Sequence, residues 1–588
     1  MYKFNNHYFN LICAVWRHGS IWRRYIISYY LMLGIAQAIL SLSPYAFGKA
    51  MNELQNFNDN NISVIIFWLI LGIIIIFLSW LFQGPGRIME RKIALKIRQS
   101  FQLNCYKQLI NLPLKWHQDH HTGDIITRIN RSCTNLYSFA ANQFEYLQNI
   151  IKFVMSIAFL LWISLPIGVA SIILSLIVIA IVILFDKTLI PLYKAENEVE
   201  NDVWIAMFDY INNMTTVISL RLGNLTYNNI AKRIDYIWNY FRKEIILNEI
   251  KWFTSGMLFS TIQIIILIWY IINCLRSAKT ISLGIVVMIF RYQWELNEVF
   301  RDLSINYSEI VRMDTDVQSI QPILDDIKKA SSLTKDTKIY WRWNNIEITN
   351  LTFNTVREAG KIQREFNKLR LKFKRCEKIA VIGLSGSGKS TLLNLLAGLY
   401  TPTTVQLKVD RVYFSSLNPI QSIAMLIPQD PEIFKNSIKF NITLGVDTAL
   451  NQINYVTKIA GFSEVIDSLP HGLDTEICEK GLNLSVGQKQ RLALARGLLA
   501  ANASSIIIMD EPTSSVDLLT EQKIITNVIN GFSETTIIMS LHRLHLLPKF
   551  DSIIMLQEGK IIAAGSVEVL LNAPGPVADL WQAYNTKI

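Results

Sequence analysis

Apolar residues fill long uninterrupted runs in the first half of the chain and short alternating ones past residue 340. From Ile26 to Phe47 there is no charged residue, and a helix over that stretch is long enough to cross a hydrocarbon layer of ~30 Å. Ile62 to Phe82 repeats the pattern, with Trp68 and Trp80 as candidate interfacial aromatics. Phe153 to Phe185 is again uncharged but too long for one crossing; Pro166 and Gly168 mark a reversal inside it, which predicts a hairpin of spans three and four. Trp252 to Leu275 predicts a fifth span, and Ile281 to about Phe290 a sixth, cut short by Arg291 and Glu295. Those two charges stand at helical contact spacing, so they are expected to pair with each other or to leave Arg291 facing a cavity, where it contacts an anionic cargo.

The polar stretches between the runs carry the orientation. Lys and Arg crowd the segments before span one, between spans two and three and between spans four and five, while the alternate loops hold very few. The positive-inside rule therefore places both termini in the cytoplasm. Residues 84–149 and 186–251 are rich in helix formers with few breakers, so the membrane helices are expected to continue far beyond the bilayer. After Asp325 the pattern changes: Tyr340 to Phe353 alternates polar with aromatic or β-branched residues, and no further span follows. The expected organisation is a transmembrane domain at 1–330, a linker at 331–337 and a second domain at 338–588.

Composition sharpens this picture at two points. Hydrophobic residues make up 51% of the chain and charged residues 18%, which excludes an ordinary soluble domain. The net charge of +11 would suit a nucleic-acid partner, but the lopsided loops account for it, so no nucleic acid is expected. The cysteines, Cys13, Cys105, Cys133, Cys274, Cys376 and Cys478, show neither disulfide nor zinc spacing and read as free thiols. The first apolar run is too long for a cleavable signal and stays in the membrane.

The second domain carries the chemistry. An apolar strand, Lys378 to Ile382, leads into Gly383-Leu384-Ser385-Gly386-Ser387-Gly388-Lys389-Ser390-Thr391 and then an apolar helix, which is a P-loop in its strand–loop–helix setting. Its glycines let backbone N–H groups curl around phosphate oxygens at a helix N-terminus; Lys389 is expected to reach the β- and γ-phosphates and Ser390 to ligate Mg²⁺. Farther on, the strand Ile506 to Met509 ends in Asp510, suited to Mg²⁺, and Glu511, suited to polarise an attacking water.

Asn483-Leu484-Ser485-Val486-Gly487-Gln488-Lys489-Gln490-Arg491 resembles the signature motif of the ABC transporters, and it precedes the acidic strand as that family's does. Gln429 resembles the Q-loop glutamine, a further contact for catalysis and Mg²⁺; Ser514-Ser515-Val516-Asp517 is similar to the D-loop, and His542 to the switch histidine. The resemblance reaches the membrane half, where Leu112 to Trp116 with Thr122-Gly123-Asp124 and Arg128 is similar to the first intracellular loop of ABC exporters, and Glu479 to their X-loop glutamate. It implies an α-helical six-span transmembrane domain followed by an α/β P-loop ABC ATPase domain. It also implies two copies facing head to tail, so that ATP and Mg²⁺ are held between the P-loop of one copy and Ser485, Gly487 and Gln488 of the other. The cytoplasmic tips near Trp116 to Asp124 and Ala206 to Asn213 are expected to dock on the ATPase surface.

Two positions depart from the family. Val486 replaces a glycine, which is expected to restrict backbone approach. The adenine-stacking aromatic falls at Thr355, leaving Tyr340, Trp341 or Trp343 to substitute, or to be ordinary strand packing. The resulting expectation is a homodimeric exporter or flippase of an amphipathic lipid, peptide or drug in a bilayer, the Ile-, Asn- and Lys-rich composition suggesting a bacterial inner membrane. A heterodimer and an ATP-gated channel or sensor are alternatives; a soluble ABC ATPase conflicts with the spans, and an importer with the fusion of both domains.

Overall fold

The computed structural model describes residues 7–57, 62–120, 122–277, 280–331, 343–356, 362–430, 432–478, 481 and 483–585. The chain divides into two compact units, Met1–Leu112 with Trp116–Leu333, and Pro113–Lys115 with Thr334–Ile588.

The first is helical. Helix α1 (His7–His18) buries Leu11, Ala14 and Val15 and turns Phe9 and Trp16 outward. Helices α2 (Arg23–Leu40) and α3 (Ser43–Gln55) make one apolar passage, jogged at Ser41 and Leu42 because Pro44 opens the first turn of α3. There follow α4 (Ile62–Ile110), α5 (Leu114–Asp119), α6 (Thr122–Ala141), α7 (Gln143–Ile163), α8 (Leu165–Asn212), α9 (Met214–Ser219), α10 (Gly223–Arg276), α11 (Leu283–Gln318) and α12 (Gln321–Ser331). The 49 residues of α4, at 1.5 Å each, extend for about 70–75 Å, more than twice a hydrocarbon layer, so the helix continues well outside it. The same holds for α8 and α10, with 48 and 54 residues.

The expected hairpin of spans three and four turns at Ser164, whose extended backbone (φ −161°, ψ 118°) separates α7 from α8 two residues before Pro166. Gly168 is required beside it, since a Cβ there would lie 2.5 Å from the Leu161 side chain. Among the described residues, five helical passages are long and apolar enough to cross a membrane. Helix α11 is not one of them: the short apolar run expected for span six lies in a longer helix, which Arg291 and Glu295 do not end and which continues to Gln318. Nor does Arg291 pair with Glu295. Ser156 Oγ donates to Glu295 at 3.0 Å, Lys152 pairs with Glu298 at 3.2 Å, and Arg291 is exposed.

Other buried charges in this unit have partners within and across helices. Lys251 of α10 meets Asp186 of α8 at 3.2 Å with both side chains almost wholly buried. Glu90, fully buried, accepts from Arg87 at 3.0 Å and from the Phe144 N–H at 2.7 Å, which fixes the break between α6 and α7.

The second unit is α/β. Its strands are β1 (Asn345–Val356), β2 (Ile362–Lys374), β3 (Lys378–Ile382), β4 (Thr404–Val409), β5 (Val412–Phe414), β6 (Ala424–Ile427), β7 (Ile506–Asp510), β8 (Thr536–Ser540), β9 (Ser552–Gln557) and β10 (Lys560–Ser566). They form a four-stranded antiparallel sheet, β2-β1-β4-β5, and a six-stranded sheet, β10-β9-β3-β8-β7-β6. In the latter β9, β3, β8, β7 and β6 run parallel. Strands β3, β7 and β8 are buried along their whole length, which is why their sequences are continuous apolar runs instead of alternating ones.

Candidate functional site

Parallel strands bring their C-terminal ends to one edge, where ligands of open α/β sheets bind. Here Ser540, the last residue of β8, pairs with Val381 of β3 on one side and Asp510 of β7 on the other. The loop that leaves β3 and the carboxylates that end β7 are therefore neighbours by register.

The loop turns through left-handed backbone at Gly386 (φ 79°) and Gly388 (φ 101°), and Gly388 caps the helix Lys389–Ala397. A Cβ on Gly383 would lie 2.3 Å from the Leu556 carbonyl oxygen, so no larger residue fits there. Lys389 is buried, its Nζ donating to Gly383 O at 2.9 Å. Ser387 Oγ is buried with no hydrogen-bond partner among the described residues, a donor left unused in the loop. These groups fit an inorganic phosphate chain, and the oxygens of Ser390, Asp510 and Gln429 are donors of the kind Mg²⁺ takes.

On the β7 side, Ser540 Oγ donates to Asp510 Oδ1 at 2.6 Å and accepts the Glu511 N–H at 2.9 Å. Glu511 adopts φ 43°, a left-handed conformation that costs a non-glycine residue about 1–3 kcal/mol and is found at sites where the surroundings impose it. Gln429 Nε2 donates to Glu511 Oε2 at 3.1 Å. Glu511 and His542 line one cavity of about 320 Å³, together with Ser540, Glu521 and Arg543. Gln429, Asp510, Glu511 and His542 are thus gathered round one strand edge.

The signature residues are not part of that cavity. Ser485 caps the helix Val486–Ala501: its Oγ accepts the Gln488 N–H at 3.2 Å, and its own N–H donates to Gln488 Oε1 at 2.8 Å. Val486 is the first helical residue, 62% exposed and without a positive φ, so the fold of this chain does not require the family's glycine. Gly487 is tight instead, a Cβ there approaching the Ser515 carbonyl oxygen at 2.9 Å. Gln490 ties the signature helix to the D-loop by donating to Ser514 Oγ and accepting from the Ser515 N–H, both at 2.9 Å. Asp517 caps the next helix; the Thr520 N–H it accepts holds its carboxyl below the usual range.

Among the proposed adenine partners, Trp343 is a core residue, its indole donating to Ser505 Oγ at 3.0 Å and packing edge-on against Phe373. Tyr340, Trp341 and Glu479 lie outside the described residues. Trp116 packs within the membrane unit, donating to Asp326 at 3.1 Å and stacking on His120. Sequence reasoning missed Ser540, Glu521 and Arg543. For Ser540 a signal existed, a single polar residue closing an apolar strand, and Arg543 directly follows His542.

Residues 26–296 match the family model described as the ABC transporter transmembrane region, and residues 366–514 the one described as ABC transporter. The multidrug resistance-like ATP-binding protein MdlB of Buchnera aphidicola is 25% identical over 96% of both chains. The mitochondrial iron-sulfur clusters transporter ABCB7 of Oryzias latipes is 30% identical over 53% of this chain and 42% of its own length. A solved structure of a bacterial Atm1-family ABC exporter with ATP bound has the same fold, with a TM-score of 0.82 at 21% identity, covering 96% of this chain and 98% of that one.

Proposed function

We propose, for a chain that belongs to the ABC transporters and joins their transmembrane and ATPase regions in one polypeptide, that it works as a homodimer moving an amphipathic substrate out of the cytoplasm or inner leaflet of a bacterial inner membrane. The chain is a multi-pass integral membrane protein, and its ATPase drives export. One observation carries the homodimer: Ser485 is capped, ordered and exposed, yet absent from the cavity that gathers Glu511 and His542. Each copy therefore holds two halves of a nucleotide site apart, and a second copy supplies the complement.

In that arrangement the ATP phosphates provide the bond to be broken and Mg²⁺ withdraws charge from it. Lys389 and the N-terminus of its helix neutralise phosphate charge. Glu511, pinned by Gln429 and by Ser540, holds and polarises water, and His542 lies across the same cavity to contact the terminal phosphate. The first-turn N–H groups behind Ser485 offer a second anion-binding helix end to the partner's nucleotide. ATP thus closes the dimer, and hydrolysis releases it.

The test uses purified protein in nanodiscs and inside-out vesicles. Ser485→Cys in one copy and Leu384→Cys in another, the latter an exposed side chain of the phosphate loop, should crosslink only with ATP present, and uphill uptake should accompany hydrolysis for at least one lipid, peptide or drug in a panel. Crosslinks that ignore ATP would refute the composite site, and purely downhill flux would make the protein a channel.

A further inference from the structure

The cavity lined by Glu511 and His542 has in its wall a buried carboxylate with no role so far. Glu521, 4% exposed, accepts from Thr513 Oγ1 at 2.8 Å through one oxygen and from Arg543 Nη1 at 2.9 Å through the other. The same guanidinium donates to the carbonyls of Val516 at 2.8 Å and Ser514 at 3.4 Å. Glu521 and Arg543 therefore bind the D-loop to the segment that starts with His542.

A third group approaches from the chain end. His545 Nε2 lies 3.8 Å from Glu521 Oε2, beyond hydrogen-bond length, and has no hydrogen-bond partner among the described residues. Its Nδ1 is 3.3 Å from the hydroxyl of Tyr584, on the last helix, Pro576–Asn585, which packs Val577 and Trp581 against the core of the same domain. If the Tyr584 hydroxyl donates to Nδ1, the imidazole proton resides on Nε2 and points at Glu521. Burial beside Arg543 and Lys549 holds the His545 pKa below the usual value, consistent with a neutral imidazole of that tautomer.

We propose that Tyr584 and His545 form a latch through which the C-terminal helix positions the D-loop and the switch segment for hydrolysis. His545 is a positioning residue: its Nε2–H closes on Glu521 when the 541–545 segment shifts toward the D-loop, and Arg543 carries that shift to both sides of the cavity. The proposal rests on hydrolysis taking place at Glu511.

The experiment measures ATPase kcat, ATP affinity and melting temperature of the full-length protein in nanodiscs. Tyr584→Phe keeps the ring and removes the donor; it should lower kcat about 3- to 10-fold, the worth of one hydrogen bond, without changing ATP affinity or melting. His545→Ala should do the same, and His545→Gln, which keeps a donor near the Nε2 position, should restore most of the rate. Unchanged kcat in Tyr584→Phe and His545→Ala overturns the latch, as does a parallel fall of kcat, affinity and melting temperature, the mark of simple packing. Glu511→Gln separates the two readings: if it alone retains turnover, hydrolysis is misassigned; if it is silent while Tyr584→Phe is normal, only the latch fails.

Discussion

The polar groups of the membrane unit and those of the ATPase unit are buried for opposite purposes. Asp186 and Lys251 hold each other in a nearly dry contact between α8 and α10, where each offsets part of the other's lost hydration. Asp510, Glu511 and Gln429 sit at a strand edge where backbone, Ser540 and one another steady them, while Glu511 keeps access to an open cavity. The first arrangement spends its charges on joining helices; the second keeps them ready for something that is not protein. Removing a charge should therefore damage the fold in one region and the chemistry in the other.

The largest effect should come from Asp186→Ala, which takes the carboxylate away from the buried Lys251 ammonium at a cost of about 3–5 kcal/mol. Yield and melting temperature in detergent should both drop sharply. The double variant Asp186→Leu, Lys251→Met should regain much of the loss, because an apolar pair needs no partner. A single variant as stable as the parent would end the contrast between the two regions.

Next comes Glu511→Gln, expected to slow hydrolysis by about 100-fold or more, equivalent to about 2.7 kcal/mol in the barrier, while melting and MgATP binding remain as in the parent. Closed dimers should accumulate with ATP. Near-normal turnover would move the water-activating role to another group.

The smallest effect sharpens the comparison inside the ATPase unit. Gln490→Ala removes the two bonds between the signature helix and the D-loop and should cost about 1–1.5 kcal/mol. Hydrogen exchange should rise over residues 513–517 and leave the P-loop helix unchanged. Equal exchange in both segments, or none in either, would mean that Gln490 does not tether the D-loop.

Much of this protein is determined by the sequence alone, because its signals are local. A charge-free, apolar run of about twenty residues reads as a membrane helix, since a single segment in lipid satisfies its own backbone only as a helix. The glycines at 386 and 388 permit the left-handed backbone the loop takes, and an apolar strand ending in Asp510 and Glu511 places carboxylates at a sheet edge wherever the strand lies. What only the tertiary structure decided involves partners far apart in the chain. Glu295 takes its bond from Ser156, 139 residues away, although Arg291 stands at the helical spacing that suggested an ion pair. Trp343 is claimed by Ser505, 162 residues on, and so is core and not an adenine platform. Ser540, joining Asp510 to Glu511, and Glu521, joining the D-loop to the switch segment, owe their positions to strand order and helix packing, which no window of neighbouring residues encodes. Side chains of similar polarity compete for each buried partner, and the winner is set by which backbones the core brings within about 3 Å.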